Sequence, residues 1–166
     1  RRLLLYLTED AKLVMPDPIL AAKLLVRDFA AVGIQVNAVF LPFRKLIRAL
    51  RRGDHDLAYL GWTPDYPDPE SVYLPATRQG LTAGVNQSHF VNPTLERLMR
   101  SAKVEQNPDK RQALFGRIER FVAQNHPWLP IAQLSSLLVH RKEVKGLRYG
   151  LSLNAIFSLG RVHLRK

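Results

Sequence analysis

Residues 61–69 read Gly-Trp-Thr-Pro-Asp-Tyr-Pro-Asp-Pro and follow a short apolar run at residues 57–60. The apolar run is typical of a strand, and a glycine at its exit lets another backbone approach closely. The prolines remove N–H donors and stiffen the segment, so that its aromatic rings and carboxylates are presented from a rigid loop. Such a cluster at the end of a strand predicts a ligand site in an α/β protein.

Strands and helices alternate around this loop. Apolar spacing predicts strands at residues 3–7 and 34–40, a helix at residues 19–32 that Gly33 ends, and a shorter helix that ends before Gly53. The pairs Asn92-Pro93 and Asn107-Pro108 each predict a helix start, with asparagine as the cap and proline at the first helical position.

The remaining segments are less regular. Residues 70–76 are expected to form a turn or two of helix, residues 77–90 a loop, and residues 128–134, 137–140 and 161–165 strands. This order predicts an α/β fold, a layered lobe with a mixed sheet flanked by helices. The sequence has no internal repeat, low-complexity tract or flexible linker, so residues 1–166 are expected to form a single domain.

Composition narrows the classes of function. The chain has 166 residues, 46% of them hydrophobic, and no cysteine, which excludes disulfides, zinc–thiolate sites and cysteine nucleophiles. Its net charge is +11, enough to attract nucleic acid or anionic lipid. Most of the basic residues lie at helical spacing opposite apolar ones, which favours a solvated face. An anionic surface and a nucleic acid stay open as alternative partners.

The segment at residues 61–69 resembles the G-W-x-x-D-Y-x-D-P stretch of the family 5 solute-binding proteins of ABC importers, the oligopeptide-, dipeptide- and nickel-binding group. The likeness continues in order along nearly the whole chain. Its further segments are residues 26–36 (VRDFAAVGIQV), 51–57 (RRGDHDL), 92–98 (NPTLERL), 107–111 (NPDKR), 126–131 (HPWLPI) and 144–147 (VKGL). The ordered spacing is more specific than any one segment.

The resemblance implies a role for each site residue. Asp65 would accept the α-ammonium of a peptide, and the less favoured alternative is that it caps its own turn. Gly61 and Thr63 would offer main-chain hydrogen bonds to an added peptide strand. Trp62 would stack on the ligand or pack in the core or between lobes. Tyr66 would line the pocket or, as the favoured alternative, form part of the body of the loop. Asp68 is expected to be a turn residue.

The resemblance also implies the larger assembly. The chain would be the C-terminal lobe of a type II periplasmic-binding-protein-like fold, with the N-terminal lobe missing and Arg1 marking a cut or processed boundary. The two lobes would close on a peptide or other small solute outside the cytoplasmic membrane, in the periplasm or at the outer cell surface. The closed protein would deliver the solute to ABC permease subunits.

No enzyme is expected. The five histidines lie far apart in the sequence, none at metal-ligand spacing, and no catalytic or phosphate-binding motif occurs. Neither a catalytic residue, a metal nor a cofactor is therefore assigned. Two alternatives remain: a metabolite-sensing domain of a cytoplasmic transcription regulator, and a basic module that binds nucleic acid or an anionic surface, nucleic acid being the less favoured partner.

Overall fold

The structure is a computed structural model that describes residues 2–11, 15–133, 139–147 and 162–164. The first half of the chain forms β1 (Leu3–Thr8), α1 (Pro18–Ala31), β2 (Val36–Leu41), α2 (Phe43–Arg52) and β3 (Leu57–Ala58). The second half forms α3 (Pro69–Tyr73), a 3₁₀ turn (Leu74–Ala76), α4 (Arg78–Thr82), α5 (Pro93–Val104), α6 (Pro108–Asn125), β4 (Val144–Lys145) and β5 (His163–Leu164).

The chain divides into two compact units. Unit 1 comprises Arg1–Trp62 and Pro75–Asn92, and unit 2 comprises Thr63–Leu74 and Pro93–Lys166. In the described part of the chain, no helix is both long enough and apolar enough to cross a membrane.

Unit 1 is built on a three-stranded parallel sheet with the strand order β2-β1-β3. In its register Leu3 lies opposite Val36, and Leu5 opposite Leu57. Leu5 and Leu7 alternate with half-buried residues along β1, so both leucines point to one buried face. They form a core with Ala22 of α1 and Val36 of β2.

The two helices of unit 1 begin and end as their sequences indicate. The Asp17 carboxylate caps α1 by accepting from the Leu20 amide at 2.8 Å, and Pro18 occupies the first helical turn. Gly53 ends α2 in the left-handed conformation at φ +77°, which glycine adopts without strain. The predicted helices at residues 19–32 and before Gly53 are thus confirmed.

Unit 2 rests on the packing of α5 against α6. Both helices place apolar side chains every three or four residues, and these are buried: Leu95, Leu98, Met99 and Ala102 from α5, and Phe115, Ile118 and Val122 from α6. Asn107 caps α6 by accepting from the Lys110 amide at 3.0 Å. Later in the sequence, β4 and β5 form an antiparallel pair.

Local predictions were wrong in whole or in part for three segments. Residues 77–90 are not all loop, because Thr77 caps the short helix α4 by accepting from the Gly80 amide at 3.0 Å. Residues 128–133 form no strand. Leu129 and Ile131 are 76% and 53% exposed, so this apolar run has found no partner strand among the described residues. Residue 134 and residues 137–138 lie outside the described residues, and residues 139–140 are not in a strand.

The predicted α/β class is confirmed, with a parallel sheet that helices cover and a separate antiparallel pair. The predicted last strand is found at His163–Leu164, while residues 161 and 165 lie outside the described residues. The single domain over residues 1–166 stays a prediction.

Candidate ligand-binding site

The first two predicted site residues, Gly61 and Trp62, belong to unit 1 and follow β3 closely. They lie at the carboxyl end of the parallel sheet, where β1 separates β2 from β3. The chain winds to one side of β1 and then to the other, and open α/β sheets bind ligands outside the carboxyl ends of the strands at such a switch point. Gly61 is exposed, and Trp62 exposes 39% of its surface.

The next three predicted site residues lie in unit 2, on the turn that leads into α3. Thr63 is half-buried, while Asp65 and Tyr66 are exposed. The Asp65 amide donates to the hydroxyl of buried Ser71 at 3.2 Å. The Tyr66 carbonyl accepts from the Asp68 amide at 2.8 Å. Local hydrogen bonds thus place Asp65 and Tyr66 on one short turn, with both residues open to solvent.

Asp68 fixes the end of this turn. It is the N-cap of α3, where its Oδ1 atom accepts from the Glu70 amide at 2.8 Å. The Arg111 guanidinium of α6 donates to the same oxygen at 2.9 Å and lies 2.9 Å from the other. The hydrogen bond from Arg111 holds the pKa of Asp68 below its usual value, against the opposing effect of burial.

Two weaker contacts hold the same segment against the helices of unit 2. The Tyr73 ring stacks on Phe115 with 6.4 Å between ring centroids. Lys103 of α5 lies 3.4 Å from the Glu70 carboxylate. Partial loss of hydration raises the pKa of Tyr66, and the negative charges of Glu70 and Asp68 raise it further. The Tyr66 hydroxyl therefore remains a neutral donor and acceptor at physiological pH.

Sequence reasoning missed the partnership of Asp68 with Arg111. Both residues stood inside segments that carried the resemblance, but they are 43 positions apart and no helical or strand period relates them. Asp68 is a turn residue as expected, with this second contact added.

The turn presents a carboxylate and a phenol at an exposed position, which suits a cationic, hydrogen-bonding ligand group.

The histidines lie apart from this turn in the sequence, but two of them come together in unit 1. The rings of His55 and His89 are 6.2 Å apart. Nε2 of His55 donates to the Gln87 carbonyl at 3.0 Å, and Nε2 of His89 donates to the Leu50 carbonyl at 2.8 Å. Burial lowers the pKa of His55. Within the described ranges, no cluster of three or more potential metal-ligating side chains occurs.

No family model matches the sequence. The chain is 30% identical over 138 residues, 82% of its length, to "Probable di/tripeptide-binding protein 5" of Pseudomonas aeruginosa (strain UCBPP-PA14). It is also 30% identical over 144 residues, 86% of its length, to "Probable ABC transporter periplasmic-binding protein SapA" of Escherichia coli (strain K12). These relatives are a di/tripeptide-binding protein and a periplasmic-binding protein of an ABC transporter, which confirms the predicted resemblance to the family 5 solute-binding proteins. The chain spans 26% of the length of each of these two relatives.

A solved structure agrees with this family at the level of the fold. The chain superposes on a dipeptide-binding protein from Pseudoalteromonas sp. SM9913, solved in complex with Met-Leu, with a TM-score of 0.80 and 22% identity. The alignment covers 99% of this chain and 32% of the other. The relatives are solute-binding proteins and not enzymes, and the two curated ones are named neither as regulators nor as nucleic-acid-binding proteins. The regulator and the nucleic-acid module are therefore not favoured.

Proposed function

We propose that this solute-binding chain is the C-terminal lobe of a longer, non-enzymatic protein and forms one wall of a site for a peptide-type ligand. The fixed turn at Asp65 and Tyr66 supports this most directly, since it holds a carboxylate-bearing residue exposed on backbone that Ser71 and Asp68 restrain. One curated relative is named as di/tripeptide-binding and the other as an ABC transporter periplasmic-binding protein, which supports a role in peptide binding for uptake. The remaining lobe would close over the ligand and present it to an ABC permease on the extracytoplasmic side of the membrane.

Each residue of the proposed site has a separate task. The Asp65 carboxylate pairs with the α-ammonium of the peptide, because a charge-assisted hydrogen bond gains strength when closure removes water from it. The main chain at Gly61 and Thr63 bonds the peptide backbone, which tolerates varied side chains. Trp62 and Tyr66 offer aromatic surface to those side chains.

Native mass spectrometry of the full-length protein purified from its host tests this proposal. We expect a co-purifying peptide mass in the wild type that is lost in Asp65→Ala. The matched control is Asp28→Ala, which removes an exposed carboxylate that forms an ion pair with its neighbour Arg27, and it should retain the mass. If Asp65→Ala retains the peptide mass, another residue binds the α-ammonium. No bound mass in any form would contradict the proposal and call for a salt-dependent DNA-binding assay.

The chain of 166 residues alone is expected to bind such a peptide weakly. A single wall buries only one side of a ligand, whereas specific sites enclose most of its surface. Calorimetric titration of the isolated chain with the peptide found in the full-length protein would check this. Tight binding by the isolated chain would contradict the two-lobed site.

A further inference from the structure

The Asp68–Arg111 ion pair joins the candidate site to the longest helix of unit 2. Arg111 lies in the first turn of α6, and its Nη2 atom reaches both Asp68 oxygens at 2.9 Å. Its Nε atom donates to the Ala102 carbonyl in the last turn of α5 at 3.1 Å. The guanidinium carbon lies 4.8 Å from the centre of the Phe115 ring. The position of the guanidinium is therefore set by both helices and not by Asp68 alone.

Asp68, in turn, is tied to the residues just before it. Its amide donates to the Tyr66 carbonyl at 2.8 Å, and its carboxylate caps α3 through the Glu70 amide at 2.8 Å. The position of the Asp68 backbone therefore restrains Tyr66. It also restrains Asp65, because Asp65 directly precedes Tyr66 in the chain. Through the ion pair, α6 restrains the position of the turn.

We propose that Arg111 is a positioning residue for the ligand site, which fixes the Asp65–Tyr66 turn through Asp68 without contacting the ligand. This inference rests on the proposed function above. A turn that is already in its bound conformation binds a ligand more tightly, because less ordering is needed on binding. The ion pair is partly exposed, with 27% of the Arg111 and 30% of the Asp68 side chain accessible. Its effect on global stability is accordingly small.

The experiment compares amide hydrogen exchange and ligand retention in the full-length protein. Arg111→Met keeps the apolar stem and removes the charge. Arg111→Lys keeps the charge but loses the planar guanidinium that contacts Asp68 and the Ala102 carbonyl together, and Asp68→Asn keeps the helix cap. Arg117→Met, an exposed position on the same helix, is the control. The ligand probe is a tryptone peptide mixture, and retained peptide is measured by native mass spectrometry.

We expect Arg111→Met and Asp68→Asn to speed exchange of the amides of residues 65–71 while the buried amides of α5 and α6 keep their rates. Peptide affinity should fall about tenfold, as one ordered loop conformation is lost. Arg111→Lys should keep part of the amide protection and part of the peptide affinity, and Arg117→Met should match the wild type. A purely structural role would instead speed exchange throughout unit 2.

Two failures are distinguishable. Unchanged exchange at residues 65–71 in Arg111→Met overturns the positioning role, even where peptide is still retained. Wild-type protein that retains no peptide overturns the proposed function, and the positioning role falls with it. If Arg111→Met does not fold, the Arg111→Lys variant decides the question. Exchange at residues 65–71 that is faster than in the wild type but slower than in the unfolded chain supports the proposal. Exchange at the wild-type rate contradicts it.

Discussion

The sheet of unit 1 and the turn that leads into α3 in unit 2 are held by different forces. β1 is fixed by a full ladder to β2 and by leucines that are almost inaccessible, with Leu7 at 0% exposure. Asp65 and Tyr66 are instead exposed, and the turn that carries them is held by hydrogen bonds and by the Asp68–Arg111 and Glu70–Lys103 ion pairs. Apolar burial therefore determines whether unit 1 folds, while a few polar contacts set the geometry of the turn. Stability and ligand binding should respond to different mutations.

The largest stability effect is expected from Leu7→Ala. Leu7 is completely buried in the core of unit 1, and truncating such a leucine removes apolar contacts and leaves a cavity. We expect a loss of about 2–5 kcal/mol in the free energy of unfolding, measured as a lower urea midpoint at an unchanged slope. Leu129→Ala, at a residue 76% exposed, is the control and should change stability by less than about 0.5 kcal/mol. Equal changes in unfolding free energy for the two variants would contradict the claim that burial of Leu7 stabilises unit 1.

The sequence predicted the parts of the fold in which a local rule decides. The strand β1, the helices α1, α2, α5 and α6, and the caps at Asn107 and Gly53 all follow from period and end signals within one element. It failed where the outcome depends on a distant partner. Residues 128–133 are mostly apolar and resemble a strand, but with no neighbouring strand among the described residues their backbone gains no ladder.

The candidate site follows the same division. Its exposed turn could be predicted from the prolines, the aspartates and the glycine, which act locally. The anchor on Arg111 could not, because the contact between two segments 43 residues apart depends on how α6 packs on α5. The short helix α4 was missed for a different reason. A glycine at position 80 argues for loop, yet its amide is the donor that Thr77 needs to cap the helix.

A smaller stability effect is expected from Asn107→Ala, which sharpens the contrast inside unit 2. Loss of the Asn107 cap leaves the Lys110 amide without this acceptor, and we expect about 1 kcal/mol of destabilisation. Urea unfolding measures it, and Asn107→Ser should restore most of it because serine also caps. Peptide affinity of the full-length protein should not change. A parallel fall in affinity would mean that stability and binding are not separable.

A pH effect of still smaller size is expected from His55 in unit 1. Burial lowers its pKa below 6.5, with the charge of His89 acting in the same direction and the Gln87 carbonyl, Asp54 and Asp56 acting against. The unfolded chain then takes up a proton before the folded one, so stability should fall as pH drops below 6.5. Unfolding free energies at pH 5–8 should show this slope, and His55→Gln should flatten it. His140→Gln, at an exposed residue, should leave the slope unchanged.

The smallest effect is expected from Lys103→Met. The Lys103 side chain is 58% exposed and lies 3.4 Å from Glu70, so solvent screens the pair and its contribution is a few tenths of a kcal/mol. Urea unfolding at low salt and at about 1 M salt should show a small difference that disappears at high salt. A loss as large as that of Asn107→Ala would show that the turn into α3 contributes to the folding of unit 2.

The most direct test of the central claim asks whether the Asp65 carboxylate pairs with a free peptide α-ammonium. Full-length wild type and Asp65→Asn are each incubated with a tryptone peptide mixture and with the same mixture N-acetylated, and retained masses are compared by native mass spectrometry. The account predicts that wild type retains peptides from the untreated mixture only, and that Asp65→Asn loses this preference. Equal retention of acetylated and untreated peptides by wild type would contradict it.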